Sequence, residues 1–192
     1  MTRLARLACT FPLIALPVTT ARAQHPTSPE DREAEVREKE QRLMAYMEQH
    51  NLGAVMISTL RNFSWITGGG DTHIVITSEA APISLLITAE GRKYLIANGS
   101  EAPRLLDEQL AGLGYELEFY KWYADKGKPN ERDKIIKRLT KGKKLASDAD
   151  YPGAKLIPDP EFAELRVPLT ESEIERYRWL GRECGLAVKE TA

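Results

Sequence analysis

From Pro29 onward the apolar residues of this chain switch repeatedly between helical and extended spacing, which restricts it to a layered α/β fold. Val36, Leu43, Met44 and Met47 share one face at helical intervals. Ser28 stands before them as a cap, Pro29 sits where a missing N–H costs nothing, and Glu30 and Asp31 suit the positive end of a helix. Gly53 reads as the stop. Residues 54–58 (AVMIS) then form a buried strand, and residues 61–66 a connector or single helical turn leading to Gly68-Gly69-Gly70.

Three extended runs follow, starting at His73, Pro82 and Arg92, with Gly91 in the turn between the last two. Residues 100–113 place Leu105, Leu106 and Leu110 at helical spacing before Gly112 and Gly114. Residues 115–122 alternate as a strand; Asn130 caps a basic amphipathic helix stopped by Gly142, and residues 144–149 are extended. The expected fold class is therefore α/β, a mixed β-sheet flanked by helices. Near the end, Thr170 and Glu173 form a capping box for a long helix whose face carries Ile174, Tyr177, Gly181, Cys184 and Val188. Gly181 and Gly185 each cost a helix about 1 kcal/mol, which predicts a closely packed backbone beside them. Nothing terminates this helix before Ala192, so its apolar face is expected to meet more protein.

The first residues belong to another category. Arg3 and Arg6, a short apolar run at residues 7–18 and the small residues around Ala21 and Ala23 read as a secretory signal peptide. Cys9 precedes most of the apolar run, unlike a lipidated cysteine. The expected organisation is a signal peptide at 1–23, a polar linker at 24–31, a domain at 32–167, and a linker plus the start of a helix at 168–192. The protein is then exported, periplasmic or extracellular, with no membrane association after cleavage. Removing Arg3, Arg6 and Arg22 makes a chain of net charge −1 more acidic, so nucleic acid is not an expected partner. Cys184 is left as a lone thiol and reads as a packing residue.

Three consecutive glycines beside Asp71 and His73 raise the question of a site. No Lys-Ser/Thr follows them and no strong helix starts there, so they do not read as a phosphate loop. A chain reversal using glycine's conformational freedom is the simplest reading. His73, opening an alternating run, reads as half-buried and bonded to backbone rather than as a metal ligand. His50 belongs to the last turn of its helix, the lysine-rich helix is a solvated face, and Trp122-Tyr123 read as core packing. A hydrolase built on Asp71 and His73 would need a nucleophile that the sequence does not offer.

Two segments carry a resemblance. Asn62, Trp65, Ile66, Thr67 and Gly68 are similar to the N-x-x-Y-L-T/S-G segment of the creatinase, prolidase and Xaa-Pro aminopeptidase family, the pita-bread metallohydrolases. Leu165-Arg166 and the run from Thr170 to Glu175 are similar to its L-R-x-x-K-S/T-x-x-E-I segment. The likeness is to the N-terminal domain and runs over about residues 33–192. Val167-Pro168-Leu169 lacks the family lysine, and Gly69-Gly70-Asp71 replaces a common aromatic.

The resemblance implies a creatinase N-terminal-domain-like fold with a ribonuclease H-like motif. It also implies a complete enzyme that cleaves before proline, or splits a related C–N bond, using two divalent metals (Mn, Co or Zn). Their ligands, two aspartates, a histidine and two glutamates, belong to a domain beginning near Pro168 and have no counterparts here. No catalytic residue and no metal ligand is therefore expected in this chain. The resemblance makes Arg61, Asn62, Trp65, Asp71 and His73 the exposed candidates for a substrate rim. Expected partners are a catalytic domain or a homo-oligomer, with a peptide as possible substrate. The alternative is a stand-alone module that binds a peptide or a partner.

Overall fold

A computed structural model describes residues 27–74, 77–99, 101–124 and 129–191. The expected signal peptide and residues 24–26 of the expected linker lie outside them. Helix α1 (Pro29–Gln49) begins at the anticipated cap: Asp31 N–H donates to Ser28 Oγ at 3.1 Å, and Ser28 N–H to the Asp31 carboxylate at 3.4 Å. Its buried face holds Val36, Leu43 and Met47, each contributing about 1.5–3 kcal/mol if fully withdrawn from water. Glu35 and Lys39 are buried on it too. The helix stops at Asn51, which has φ of 51°, not at Gly53. Leu52 N–H reaches Met47 O at 2.8 Å and Asn51 N–H reaches Glu48 O at 3.1 Å, the paired bonds of a Schellman ending. Gly53 is needed for another reason: a Cβ there would lie 2.2 Å from Cβ of Lys143.

Strand β1 (Ala54–Thr59) leads straight into helix α2 (Leu60–Ile66). Strands β2 (Ala80–Thr88) and β3 (Lys93–Asn98) form the expected hairpin, with Gly91 at φ 80°. Next come α3 (Ala102–Arg104), continuing as a π-helical turn at Leu105–Gln109, then β4 (Glu116–Tyr120), α4 (Glu131–Thr140), β5 (Leu145–Ser147) and β6 (Lys155–Leu156). Helices α5 (Asp159–Arg166) and α6 (Glu171–Thr191) close the described chain. The six strands form one mixed sheet in the order β4-β3-β2-β1-β5-β6. β1 and β2 pair antiparallel, as do β2 and β3; β1–β5, β5–β6 and β3–β4 are parallel. Val55, Ile57, Leu85, Ile87 and Leu95 face the larger core with α1, α2 and Phe162 of α5. Met56, Leu86, Tyr94 and Ile96 face α4 through Ile135 and Ile136. Covered on both sides, the central strands read as unbroken apolar runs.

Several expectations need correction. The run from His73 to Ser78 is not a strand at its described positions 73, 74, 77 and 78, and Val75 and Ile76 lie outside the described residues. Both edges of β1 are taken by β2 and β5, so the described positions of this run have no place beside it. β2 itself starts earlier, with Ala80 opposite Thr59. Helix α5 was hidden by Pro158 and Pro160, which suggest loop but are tolerated in a first helical turn. It supplies Phe162, which has no exposed surface. Trp122 and Tyr123 are exposed rather than core, and so is Cys184. Helix α6 has its capping box, with Glu173 N–H to Thr170 Oγ1 at 3.2 Å, but buries no residue. No described atom outside its own helix lies within 4 Å of a Cβ placed at Gly181 or Gly185. Among the described residues no helix is long and apolar enough to cross a membrane.

Candidate functional site around the triple glycine

The glycines cap the C-terminus of α2. Gly69 N–H donates to Ser64 O at 2.8 Å and Gly68 N–H to Trp65 O at 3.2 Å, a second Schellman ending, with φ of 99° and 63°. A helix C-terminus carries partial negative charge, which opposes a phosphate. Cationic help comes instead from Arg32 of α1, whose Nε donates to Thr67 O at 2.9 Å and whose second nitrogen reaches Gln109 O at 2.5 Å. Gly70 serves packing: its N–H donates to Thr67 Oγ1 at 3.0 Å, and a Cβ there would sit 2.5 Å from that oxygen and 3.1 Å from the buried Phe63 ring. Gly70→Ala is therefore expected to destabilise by about 1–3 kcal/mol. Gly181→Ala, in open space on a helix, should stabilise by about 0.5–1 kcal/mol. Urea midpoints at constant slope would separate the two, and equal effects would refute this account of the turn.

The opposite end of α2 is anchored by a residue that sequence reading missed. Thr59, the α2 N-cap, makes no side-chain cap bond of its own. Parallel pairing of β1 with β5 instead brings up Asp148, which follows β5. Its carboxylate accepts from Ser58 N–H at 2.7 Å, Thr59 N–H at 3.1 Å, Thr59 Oγ1 at 2.6 Å and Asn62 Nδ2 at 2.9 Å. An acid 86 residues from Asn62 leaves no local pattern to read.

The five rim candidates do not converge. Asn62 and Trp65 are buried, at 2% and 7% exposure, which corrects the expectation that they are exposed. Asn62 is turned onto Asp148, and Trp65 packs edge-on against Phe162 at 5.8 Å between ring centroids. Arg61 is exposed and pairs with Asp159 at 3.1 Å and Glu79 at 3.3 Å. Asp71 and His73 form a separate exposed pair beyond the glycines. One Asp71 oxygen accepts from His73 N–H at 2.9 Å and lies 2.8 Å from His73 Nδ1. Those bonds hold the Asp71 carboxyl below its ordinary range. His73 is thus neither half-buried nor bonded through a strand. Gln109 fixes the loop from the other side, accepting Asp71 N–H at 2.8 Å.

A groove of about 490 Å³ runs beside the glycines, lined by Gly68, Gly69, Gly70, Arg32, Gln109 and Arg176 among others. Its far wall, α6, is held to α1 by four charged side chains. Lys39 Nζ lies 2.5 Å from Glu35 Oε1 and 2.7 Å from Glu173 Oε1, and Arg176 grips both Glu35 oxygens at 2.8 and 2.5 Å. Burial pushes the Glu35 carboxyl up, but hydrogen bonds from Arg176 and Lys39 outweigh it and hold the group below its ordinary range. The groove walls named above hold backbone and side chains already bonded elsewhere, which can bind and orient; Ser28, which also lines the groove, donates its hydroxyl to the Asp31 carboxylate at 2.9 Å. Among the described residues no three His, Cys, Asp or Glu side chains are placed to hold a metal. Asp71 and His73 supply two donors at most, which does not fit the two divalent metals implied for the family enzyme.

The model of the creatinase/prolidase N-terminal domain matches residues 39–157. No curated protein matches the chain. Among solved structures, the dipeptidase PepE of Mycobacterium ulcerans is similar with a TM-score of 0.55 and 15% identity; the match covers 74% of this chain and 39% of that one. The Xaa-Pro dipeptidase of Bacillus anthracis gives 0.49 and 18%, covering 73% and 38%. The creatinase/prolidase N-terminal domain of an X-Pro dipeptidase from Streptococcus pyogenes gives 0.39 and 14%, covering 68% and 92%. This chain thus spans about two fifths of the two full dipeptidases, and the likeness to PepE is one of fold.

Proposed function

Because this chain belongs to the family of creatinase/prolidase N-terminal domains, we propose that it is the non-catalytic domain of an exported Xaa-Pro peptidase, bordering the substrate site and supplying a subunit interface. The observation that carries the reading is the loop after α2. A Schellman turn, braced by Arg32 and Gln109, leads from the glycines that line a groove directly to the exposed pair Asp71 and His73. An ionised Asp71 suits the free ammonium of a short peptide, and His73 lends it a fixed direction. Arg61, at the other end of α2, is placed to meet a second feature of a bound partner. Asn62 and Trp65 act from beneath by keeping α2 in position. Export rests on the basic start and short apolar run of residues 1–23.

In the test, the purified chain receives Xaa-Pro peptides and manganese. The expected result is no turnover, with peptide-induced NMR shifts at Asp71 and His73 that Asp71→Asn weakens. Substantial turnover, or shifts confined to other surfaces, would falsify the assignment.

A further inference from the structure

The start of β1 opens onto a second groove, of about 240 Å³, walled by the β2–β3 hairpin and the end of α4. It shares no lining residue with the groove beside the glycines. Backbone bonds fix its frame: Gly53 N–H donates to Lys144 O at 2.7 Å, Ala89 N–H to Gly53 O at 3.0 Å and Lys143 N–H to Thr140 O at 2.9 Å. Thr88 lines the groove and is only 4% exposed, yet among the described residues its Oγ1 has no hydrogen-bond partner. Lys143, and after it Thr88, lowers the Glu90 carboxyl, which places that carboxylate near the hydroxyl but outside hydrogen-bond geometry. A buried hydroxyl without a partner is costly, and one that opens on a groove marks a place for a ligand atom.

The surrounding side chains give the sign of that ligand. Four cations, Arg92, Arg138, Lys141 and Lys143, line the groove against two carboxylates, Glu90 and Glu118, in a chain of net charge −1. The end of α4 returns only about half a negative charge. Arg92 lies over the Tyr94 ring at 5.1 Å and pairs with Glu116 at 3.1 Å, Arg138 pairs with Glu118 at 2.5 Å, and Lys143 pairs with Glu90. Every member of these pairs but Glu118 is more than half exposed. Such pairs contribute little, so their cations can turn to a ligand at small cost. Lys141 has no ion pair among the described residues. We propose that this groove binds a small dianion of the phosphate class, with the Thr88 hydroxyl donating to one oxygen and Arg92, Arg138 and Lys141 meeting the others. The arginine fork matches such oxygens two at a time. The volume lies below the roughly 300–1,000 Å³ of pockets for larger organic ligands, which suits a single small anion. The site is separate from Asp71 and His73 and holds whether or not the peptidase reading does.

Calorimetry of the full chain with inorganic phosphate at low ionic strength tests it, with NMR locating the bound ion. The expected result is saturable binding of one phosphate per chain, amide shifts centred on Thr88 and residues 141–143, and much weaker binding of acetate. Thr88→Val keeps the shape and suits a strand. It should weaken phosphate binding about tenfold, as loss of one hydrogen bond to a charged group does. The thermal midpoint of the free chain should not fall, because the hydroxyl removed is unpaired. Lys141→Gln should weaken binding several-fold, whereas Lys189→Gln, on α6, should leave it unchanged. Absence of saturable binding, shifts spread over the lysines of the chain, or equal affinity for acetate would overturn the proposal. So would a destabilised Thr88→Val chain that keeps its phosphate affinity, since the hydroxyl would then belong to Glu90. If Thr88→Val fails to fold, the comparison of Lys141→Gln with Lys189→Gln decides.

Discussion

Replacing Lys39 with alanine is expected to cost about 3–5 kcal/mol of folding stability, because it strips the counter-charge from carboxylates held away from water. Lys39 is 1% exposed, and its ammonium sits between Glu35 at 2.5 Å and Glu173 at 2.7 Å. Glu35 would keep Arg176, but Glu173 would lose its closest cation, and the space left by the lysine stem would open beside Trp65. Arg176→Ala should cost less, since Lys39 still neutralises Glu35, and its main effect should be faster amide exchange along α6. Chemical denaturation of the two variants gives the comparison, and a Lys39→Ala loss no larger than that of Arg176→Ala would refute the account. Acid should loosen the same latch. The Glu35 pKa is lowered by folding, so its contribution is complete above the unfolded glutamate value of about 4.3 and disappears as pH falls below it through the folded value. Protection of α6 amides should fall over that window before the sheet unfolds.

The second large effect is expected at Asp148. Its carboxylate takes two backbone N–H groups, a hydroxyl and an amide at the start of α2, where Ser58 and Asn62 are buried. Unsatisfied buried donors cost about 1–3 kcal/mol each, and partial access of water to this half-buried acid reduces the total, so Asp148→Ala should lose about 3 kcal/mol. Asp148→Asn keeps the shape and one acceptor oxygen and should lose roughly half as much. The loss should be accompanied by faster exchange at the Ser58 and Thr59 amides and by displaced resonances at Asp71 and His73, because α2 links the two ends. If Asp148→Ala melts like the parent, the acid does not anchor the helix.

Much of the candidate site was out of reach of sequence for a common reason. Asp71 and His73 are neighbours in the chain, and their hydrogen bonds needed only a turn. The resemblance placed Asn62 and Trp65 at the rim, whereas packing against Phe162 and bonding to Asp148 turn both inward. Phe162 lies on a helix that two prolines concealed, and Asp148 is brought to α2 by a parallel strand pair. In both cases the interaction is made between segments far apart in the chain, so no local periodicity records it.

What the sequence by itself determined was the set of elements: caps at Ser28, Asn130 and Thr170, the apolar stripe of α1, the β2–β3 hairpin and the mixed α/β class. Each follows from interactions within a few residues or from burial of one face, which local spacing reports directly. Only the tertiary structure decided which strands sit side by side and that His73, Ile74, Thr77 and Ser78 belong to none of them. It also decided that Lys39 and Glu35 are buried together and that Phe119 stands at an open edge. Those outcomes depend on which surfaces cover which, a competition among distant segments for the same neighbours.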